Sequence, residues 1–208
     1  MKKRKFPTHE TTLPENYREV FHIDATNKKV MIWLNLAALG IAAVFAGIGL
    51  LPLLWVELPR ITYGPFGILG AYLGFLVSMI AYVVLHELTH GAAYKLLTKA
   101  KLTYGIRLTC AFCGVPDVYT YRRTALCALV APLILFSILF GGLTVAMAFV
   151  DRWLYFLALG LFVVHISGCV GDGYMTLLML FRYRDPALLM RDTGPAQWIY
   201  LPENKNEQ

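Results

Sequence analysis

Charged side chains are scarce in this chain of 208 residues. Lys, Arg, Asp and Glu together make up 15% of it, and apolar residues make up 58%. A typical soluble domain has about 25% charged and about 45–50% apolar residues, so the composition argues against an ordinary soluble protein. Several apolar runs reach the roughly 20 residues that a helix needs to cross a bilayer. We therefore expect an integral membrane protein.

Cysteine is also sparse, and the chain shows no sign of a cleavable signal peptide. The four cysteines are Cys110, Cys113, Cys127 and Cys169. The single Cys-x-x-Cys pair has neither a second pair nor a thioredoxin-like context, so we expect all four to be reduced and structural. The basic residues 2–5 are followed by polar sequence, and the first apolar run begins only near Val30. This order is not that of a secretory signal.

Four apolar runs predict four transmembrane helices, and hence the fold class of an all-α integral membrane protein. The runs cover residues 30–56, 67–97, 124–150 and 153–181. We expect residues 1–29 to be a polar arm, residues 30–181 the four-helix domain and residues 182–208 a tail. Between helices two and three, apolar and polar residues alternate over 102–110, and a turn at 114–117 precedes 118–121. This pattern allows either a short β-hairpin or an ordinary surface loop.

The placement of Lys and Arg predicts the orientation in the cell membrane. Of the 19 basic residues, 17 lie in the arm, the segment 95–123 and the tail, and only Arg60 and Arg152 lie in the two other loops. Since basic residues concentrate on the cytoplasmic side, we expect both termini to be cytoplasmic. The same bias accounts for the net charge of +6, so nucleic acid is not expected as a partner.

One motif in the second apolar run carries chemistry. His86 and His90 are four residues apart in His-Glu-Leu-Thr-His, which places them on one face of a helix, one turn apart. Two imidazoles in this arrangement can bind one divalent metal, with Glu87 placed beside a metal-bound water as its general base. The motif predicts the zinc site of a membrane-embedded metallopeptidase, because ionisable residues in apolar spans are usually functional.

A catalytic zinc usually has three protein ligands, so a third residue must lie at the depth of His86. Runs two and four have the same direction, and His86 and Asp172 each lie 19 residues from the start of their run, roughly 28 Å in. Asp172 also lies in a glycine-rich stretch, 168–173, where a helix can unwind. The rival ligand, His165, is two turns from Asp172, and we expect it to line the substrate cavity or to be a buried structural histidine.

Three stretches resemble the putative zincin peptidases, a family of bacterial membrane proteins, and are similar to the site-2-protease type of intramembrane zinc metalloprotease. They are His86–Gly91, Ala131-Pro132-Leu133 and Gly171-Asp172-Gly173. The resemblance implies Zn²⁺ as the cofactor and Asp172 as its third ligand. Gly171 stands where site-2 proteases usually have Leu or Asn-Pro.

The activity expected from motif and resemblance together is peptide-bond hydrolysis by metal-activated water, with Glu87 as general base. The expected partners are the lipid bilayer and a membrane-protein or peptide substrate, which a hairpin near the site could bind by strand addition. Other functions remain open at this point. They are a non-proteolytic membrane zinc hydrolase or metal-binding protein, a catalytically silent scaffold, and a transporter, although no internal repeat favours transport.

Overall fold

The computed structural model describes residues 7–107 and 111–203, which contain five α-helices and seven β-strands. The helices are α1 (Lys28–Leu50), α2 (Pro65–Thr98), α3 (Arg122–Ala148), α4 (Arg152–Gly168) and α5 (Val170–Leu177). A 3₁₀ turn (Leu51–Leu54) follows α1, and a π-helical turn (Leu178–Arg182) follows α5. The strands are β1 (His9–Glu10), β2 (Tyr17–Asp24), β3 (Thr103–Ile106), β4 (Ala111–Gly114), β5 (Tyr119–Tyr121), β6 (Leu189–Asp192) and β7 (Ala196–Pro202).

Three helical segments are long and apolar enough to cross a membrane. They are Lys28–Leu54, Pro65–Thr98 and Arg122–Ala148. The pair α4 and α5 counts as a fourth span only if the two are taken together, because they meet at a 45° bend. The bend falls in the stretch 168–173, in which three of six residues are glycine and the backbone can depart from a straight helix at low cost.

The prediction of an all-α fold is wrong, because a five-stranded antiparallel sheet accompanies the helices. Its strand order is β1-β5-β6-β7-β2. The segments expected to be an arm and a tail supply most of it, and Tyr17 of β2 lies opposite Pro202 of β7. The backbone N–H and C=O groups of these polar segments are not paired within a helix. They form hydrogen bonds in the sheet instead, between stretches that are far apart in sequence.

A second, two-stranded sheet follows α2. It is the hairpin of β3 and β4, in which Tyr104 lies opposite Cys113. The partner of β3 is therefore β4 and not the predicted second strand 118–121, of which residues 119–121 form β5 and pair with β1 and β6. Residues 108–110 of the predicted first strand lie outside the described residues.

The chain divides into two compact units, each with its own apolar core. We call one the sheet unit; it takes its described residues from Met1–Ile32, Glu87–Ala131 and Asp172–Gln208. The other, which we call the helical unit, consists of Trp33–His86 and Pro132–Gly171. Tyr94, Leu129 and Met190 belong to the core of the sheet unit, whereas Tyr82, Phe136 and Leu161 belong to that of the helical unit. Helices α2, α3 and α5 each begin in one unit and end in the other.

Candidate metal centre

The motif predicted to bind metal lies within the uninterrupted helix α2. His86 and His90 are both buried, with 8% and 7% of their surfaces exposed, whereas Glu87 between them is half-buried and Leu88 is exposed. Four residues of an α-helix make slightly more than one turn, so the two imidazoles share one face and Glu87 lies to its side. The helix thus presents two nitrogen ligands together with an adjacent carboxylate.

His90 is held between a backbone carbonyl and the carboxylate of Asp172. Its Nδ1 lies 2.9 Å from the carbonyl oxygen of Ala128, and its Nε2 lies 3.2 Å from Oδ2 of Asp172. A carbonyl oxygen can only accept, so Nδ1 carries the hydrogen and donates it to Ala128. In the neutral ring, Nε2 then turns its lone pair towards an oxygen that also offers only lone pairs. Such a contact requires a positive charge, either a proton or a metal ion.

The donor set and its spacing suit a zinc ion. In a tetrahedral site with zinc–ligand bonds of about 2.0–2.1 Å, two ligand atoms lie about 3.3 Å apart, which is close to the separation of Nε2 and Oδ2 observed here. Two histidines and a carboxylate are also a common ligand set of catalytic zinc, and they leave a fourth position for water. Asp172 is 19% exposed, so its oxygen retains some access to solvent.

His165 lies in the helical unit, among aromatic rings and completely buried. Its Nδ1 is 2.9 Å from the hydroxyl of Tyr82, and its Nε2 is 3.1 Å from Oγ of Ser137 and 3.3 Å from the carbonyl oxygen of Leu133. The Tyr82 hydroxyl is in turn 3.2 Å from Nδ1 of His86. His165 is therefore linked to His86 through Tyr82.

His165 also belongs to a second group of metal-ligand type. Ligand atoms of His86, His165 and Cys169 lie within 4.8 Å of one another, and all three side chains are buried. Because this group shares His86 with the predicted site, it is the structural alternative to a site completed by Asp172.

The hairpin β3–β4 lies directly beside the motif. A side chain at Gly91, the residue after His90, would overlap the hydroxyl of Tyr104, so the glycine lets the Tyr104 ring of β3 pack closely against α2. Burial raises the pKa of the neighbouring Cys113 thiol to about 12. Since the thiolate is the reactive form, this shift makes the Cys113 thiol less reactive at neutral pH. Cys110 lies outside the described residues.

Two polar residues that the sequence did not single out are Tyr94, one turn beyond His90 in α2, and Asp192, the last residue of β6. The Tyr94 hydroxyl donates to Oδ2 of Asp192 at 2.7 Å, and the Gly194 amide donates to Oδ1 at 2.8 Å. Only 2% of Asp192 is exposed, and this burial raises the pKa of its carboxyl to about 6. The only signal in the sequence was an isolated aspartate in a loop-like segment, and its partner is 98 residues away.

The Asp192→Asn variant should lose part of the pH dependence of stability. Between about pH 4 and pH 6 the folded protein keeps a proton on Asp192 that the unfolded chain releases, so wild-type stability falls as the pH rises through this window. As the pH rises through this window, the melting temperature of the variant in detergent should increase by several degrees relative to that of the wild type. One pKa unit corresponds to about 1.4 kcal/mol, and one kcal/mol corresponds to about 2–4 °C at this chain length.

For Asp192→Asn, the informative quantity is the slope of the melting temperature against pH. The amide accepts fewer hydrogen bonds than the carboxylate, and that cost shifts the whole stability curve without changing its dependence on pH. Parallel curves for variant and wild type would contradict the raised pKa.

The chain combines three helices of membrane length with two groups of histidine, cysteine and carboxylate side chains that could hold a metal ion, which defines the class of a candidate metal-binding membrane protein. The sequence profile of the family described as putative zincin peptidase matches residues 79–188, more than half of the chain. The chain belongs to this family, and the family implies zinc as the metal. No curated protein and no solved structure matches the chain.

Proposed function

We propose that this protein is a zinc-dependent peptidase that acts in or at the membrane, with His86, His90 and Asp172 as the metal ligands and Glu87 as the general base. The observation that carries the proposal is the contact of His90 Nε2 with Asp172 Oδ2, which are 3.2 Å apart and which a metal ion or a proton between them would stabilise. His86 supplies the remaining ligand because it lies one turn before His90 on the same helix.

Glu87 performs the proton transfers of the reaction. Zinc, when bound, acidifies a water molecule and polarises the peptide carbonyl. Glu87 is adjacent to a ligand and half-buried, so its carboxylate can take the proton of the attacking water and pass it to the leaving nitrogen. Asp172 offsets positive charge at the site, which favours binding of a divalent ion by the two neutral imidazoles.

The substrate class we propose is a membrane protein or a peptide that is extended when it reaches the site. A helical peptide bond is shielded, so an extended strand must form first, and the hairpin beside Gly91 offers strand edges for pairing. The proposed setting is that of the site-2-protease type, in the cell membrane with cytoplasmic termini, which the distribution of Lys and Arg supports.

Metal content tests this proposal first. Purified wild-type protein should hold one zinc per chain by elemental analysis, and His86→Ala should hold much less because one of three ligands is gone. His22→Ala provides a matched control, since His22 lies in β2 of the sheet and stacks on Trp198. A wild-type protein without a transition metal would contradict the proposal.

Peptidase activity requires a separate comparison. Membrane-protein fragments should differ between cells with the wild-type protein and cells with a catalytic variant. A zinc-loaded protein that generates no fragments would instead indicate a non-proteolytic hydrolase, a metal-binding protein or a silent scaffold.

A further inference from the structure

The Nδ1 atoms of His86 and His90 have different hydrogen-bond partners. Nδ1 of His90 contacts a backbone carbonyl of α3 directly, whereas Nδ1 of His86 is connected to another carbonyl of α3 through Tyr82 and His165. Ala128 and Leu133, whose carbonyls are involved, lie on either side of Pro132. The ring nitrogen that binds a metal is determined by the hydrogen bond that the other nitrogen makes. These contacts therefore decide which atom each histidine offers to a metal.

Pro132 removes the helical donor that would otherwise share the carbonyl of Ala128 with His90. In an α-helix the amide of residue 132 would donate to the carbonyl of residue 128, but proline has no N–H. The helix continues through Pro132 without that bond, and the Ala128 oxygen lies 2.9 Å from Nδ1 of His90. Proline thus converts a carbonyl that an ordinary helix would use internally into an acceptor for a side chain.

His86 is oriented through two intermediates, Tyr82 and His165. His165 is completely buried without a carboxylate among its hydrogen-bond partners, and burying an unpaired charge is costly, so the ring is neutral. Its Nε2 faces the Leu133 carbonyl, which can only accept, and therefore carries the hydrogen. Its Nδ1 then accepts from the Tyr82 hydroxyl at 2.9 Å, the shorter of its two contacts, the other being Cys169 Sγ at 3.6 Å. The Tyr82 oxygen in turn accepts from Nδ1–H of His86. His86 therefore has its lone pair on Nε2.

We propose that Pro132, Tyr82 and His165 are positioning residues that fix both histidines in the Nδ1–H form, so that each offers Nε2 to the metal. Two different sets of contacts lead to the same tautomer. The proposal rests on the proposed function for the identity of the metal, but the tautomers themselves do not depend on it. The role proposed for His165 is therefore to orient the ligand His86 through Tyr82.

Replacing Pro132 with alanine separates positioning from structural support. Pro132→Ala restores an amide that competes with His90 for the Ala128 carbonyl, while alanine is a better helix former than proline. Zinc affinity, measured by competition with a chelator, should fall about 10- to 100-fold although the thermal stability in detergent does not fall. Gly142→Ala is the matched control in α3, because a methyl group there meets no atom within 4 Å.

Tyr82→Phe tests the second set of contacts. It removes one hydroxyl and should lower zinc affinity by a similar factor of about 10–100. Tyr155→Phe is the matched control, because Tyr155 is also buried in the helical unit and its hydroxyl donates to the carbonyl of Gly49. Nitrogen NMR of histidine-labelled, metal-free protein reports the tautomer directly: His86 should show a protonated Nδ1 in the wild type and lose that preference in Tyr82→Phe.

The outcomes separate this proposal from the proposed function. It is overturned if His86 carries its hydrogen on Nε2 in the wild type, or if Tyr82→Phe and Pro132→Ala bind zinc as tightly as their controls. If the wild type binds no zinc but His86 has the protonated Nδ1, the orientation of His86 stands and the zinc peptidase proposal fails.

Discussion

Glu87→Gln should abolish peptide hydrolysis while leaving the zinc content unchanged. The amide has nearly the same size as the carboxylate, and Glu87 is not among the proposed ligands, so the metal site should remain intact. The amide cannot accept a proton from water at neutral pH, and loss of a general base typically costs about 10²–10⁴-fold in rate. Fragments of membrane proteins that appear in cells with the wild-type protein should be absent in cells with Glu87→Gln, at equal protein levels.

A matched control for this variant is Glu57→Gln, which removes the same charge from an exposed loop. It should leave both fragments and zinc unchanged. If Glu87→Gln lost zinc, Glu87 would be a ligand rather than a base. If it retained full activity, the proposed mechanism would be wrong, because no other carboxylate occupies the motif.

Much of the helical part of the fold is encoded locally in the sequence. An apolar run of membrane length forms a helix almost regardless of its surroundings, and α2 extends only one or two residues beyond the predicted run 67–97 at each end. The spacing of His86 and His90 is likewise a property of a single helix. The prediction that Asp172 lies at the depth of His86 is less direct, because it compares two runs with the same direction; in the structure Oδ2 of Asp172 lies 3.2 Å from Nε2 of His90.

The sheet could not be read from the sequence in the same way. Its strands are two to eight residues long, and β2 pairs with β7 at the other end of the chain, so no local periodicity identifies the partners. The same limit applies to Asp192, which is buried only because distant segments close around it. The role of Pro132 could not be predicted from the sequence either. A proline within an apolar run indicates only a tolerated kink. The hydrogen bond between His90 and the Ala128 carbonyl becomes apparent only in the structure.

The motif itself did not decide between Asp172 and His165 as the third ligand, and the structure gives each of them a distinct neighbour. Asp172 lies against Nε2 of His90, whereas His165 lies beside Cys169, with Sγ 3.6 Å from its Nδ1. The two arrangements make opposite predictions for a change at Asp172, because a site of His86, His165 and Cys169 contains no carboxylate.

Asp172→Asn should therefore reduce zinc affinity by more than the roughly 10- to 100-fold that loss of an outer-sphere partner costs. The amide keeps the shape of the side chain but removes the negative charge that faces His90, so neither a metal nor a protonated His90 is compensated. Asp192→Asn is the matched control, since Asp192 is also an aspartate of the sheet unit but its oxygens accept from Tyr94, Gly194 and Gln197. Chelator competition should show weak binding for Asp172→Asn and wild-type binding for Asp192→Asn. If Asp172→Asn binds zinc normally and Cys169→Ser does not, the metal is held by the thiol-containing group, and Asp172 pairs with His90 as an ordinary buried ion pair.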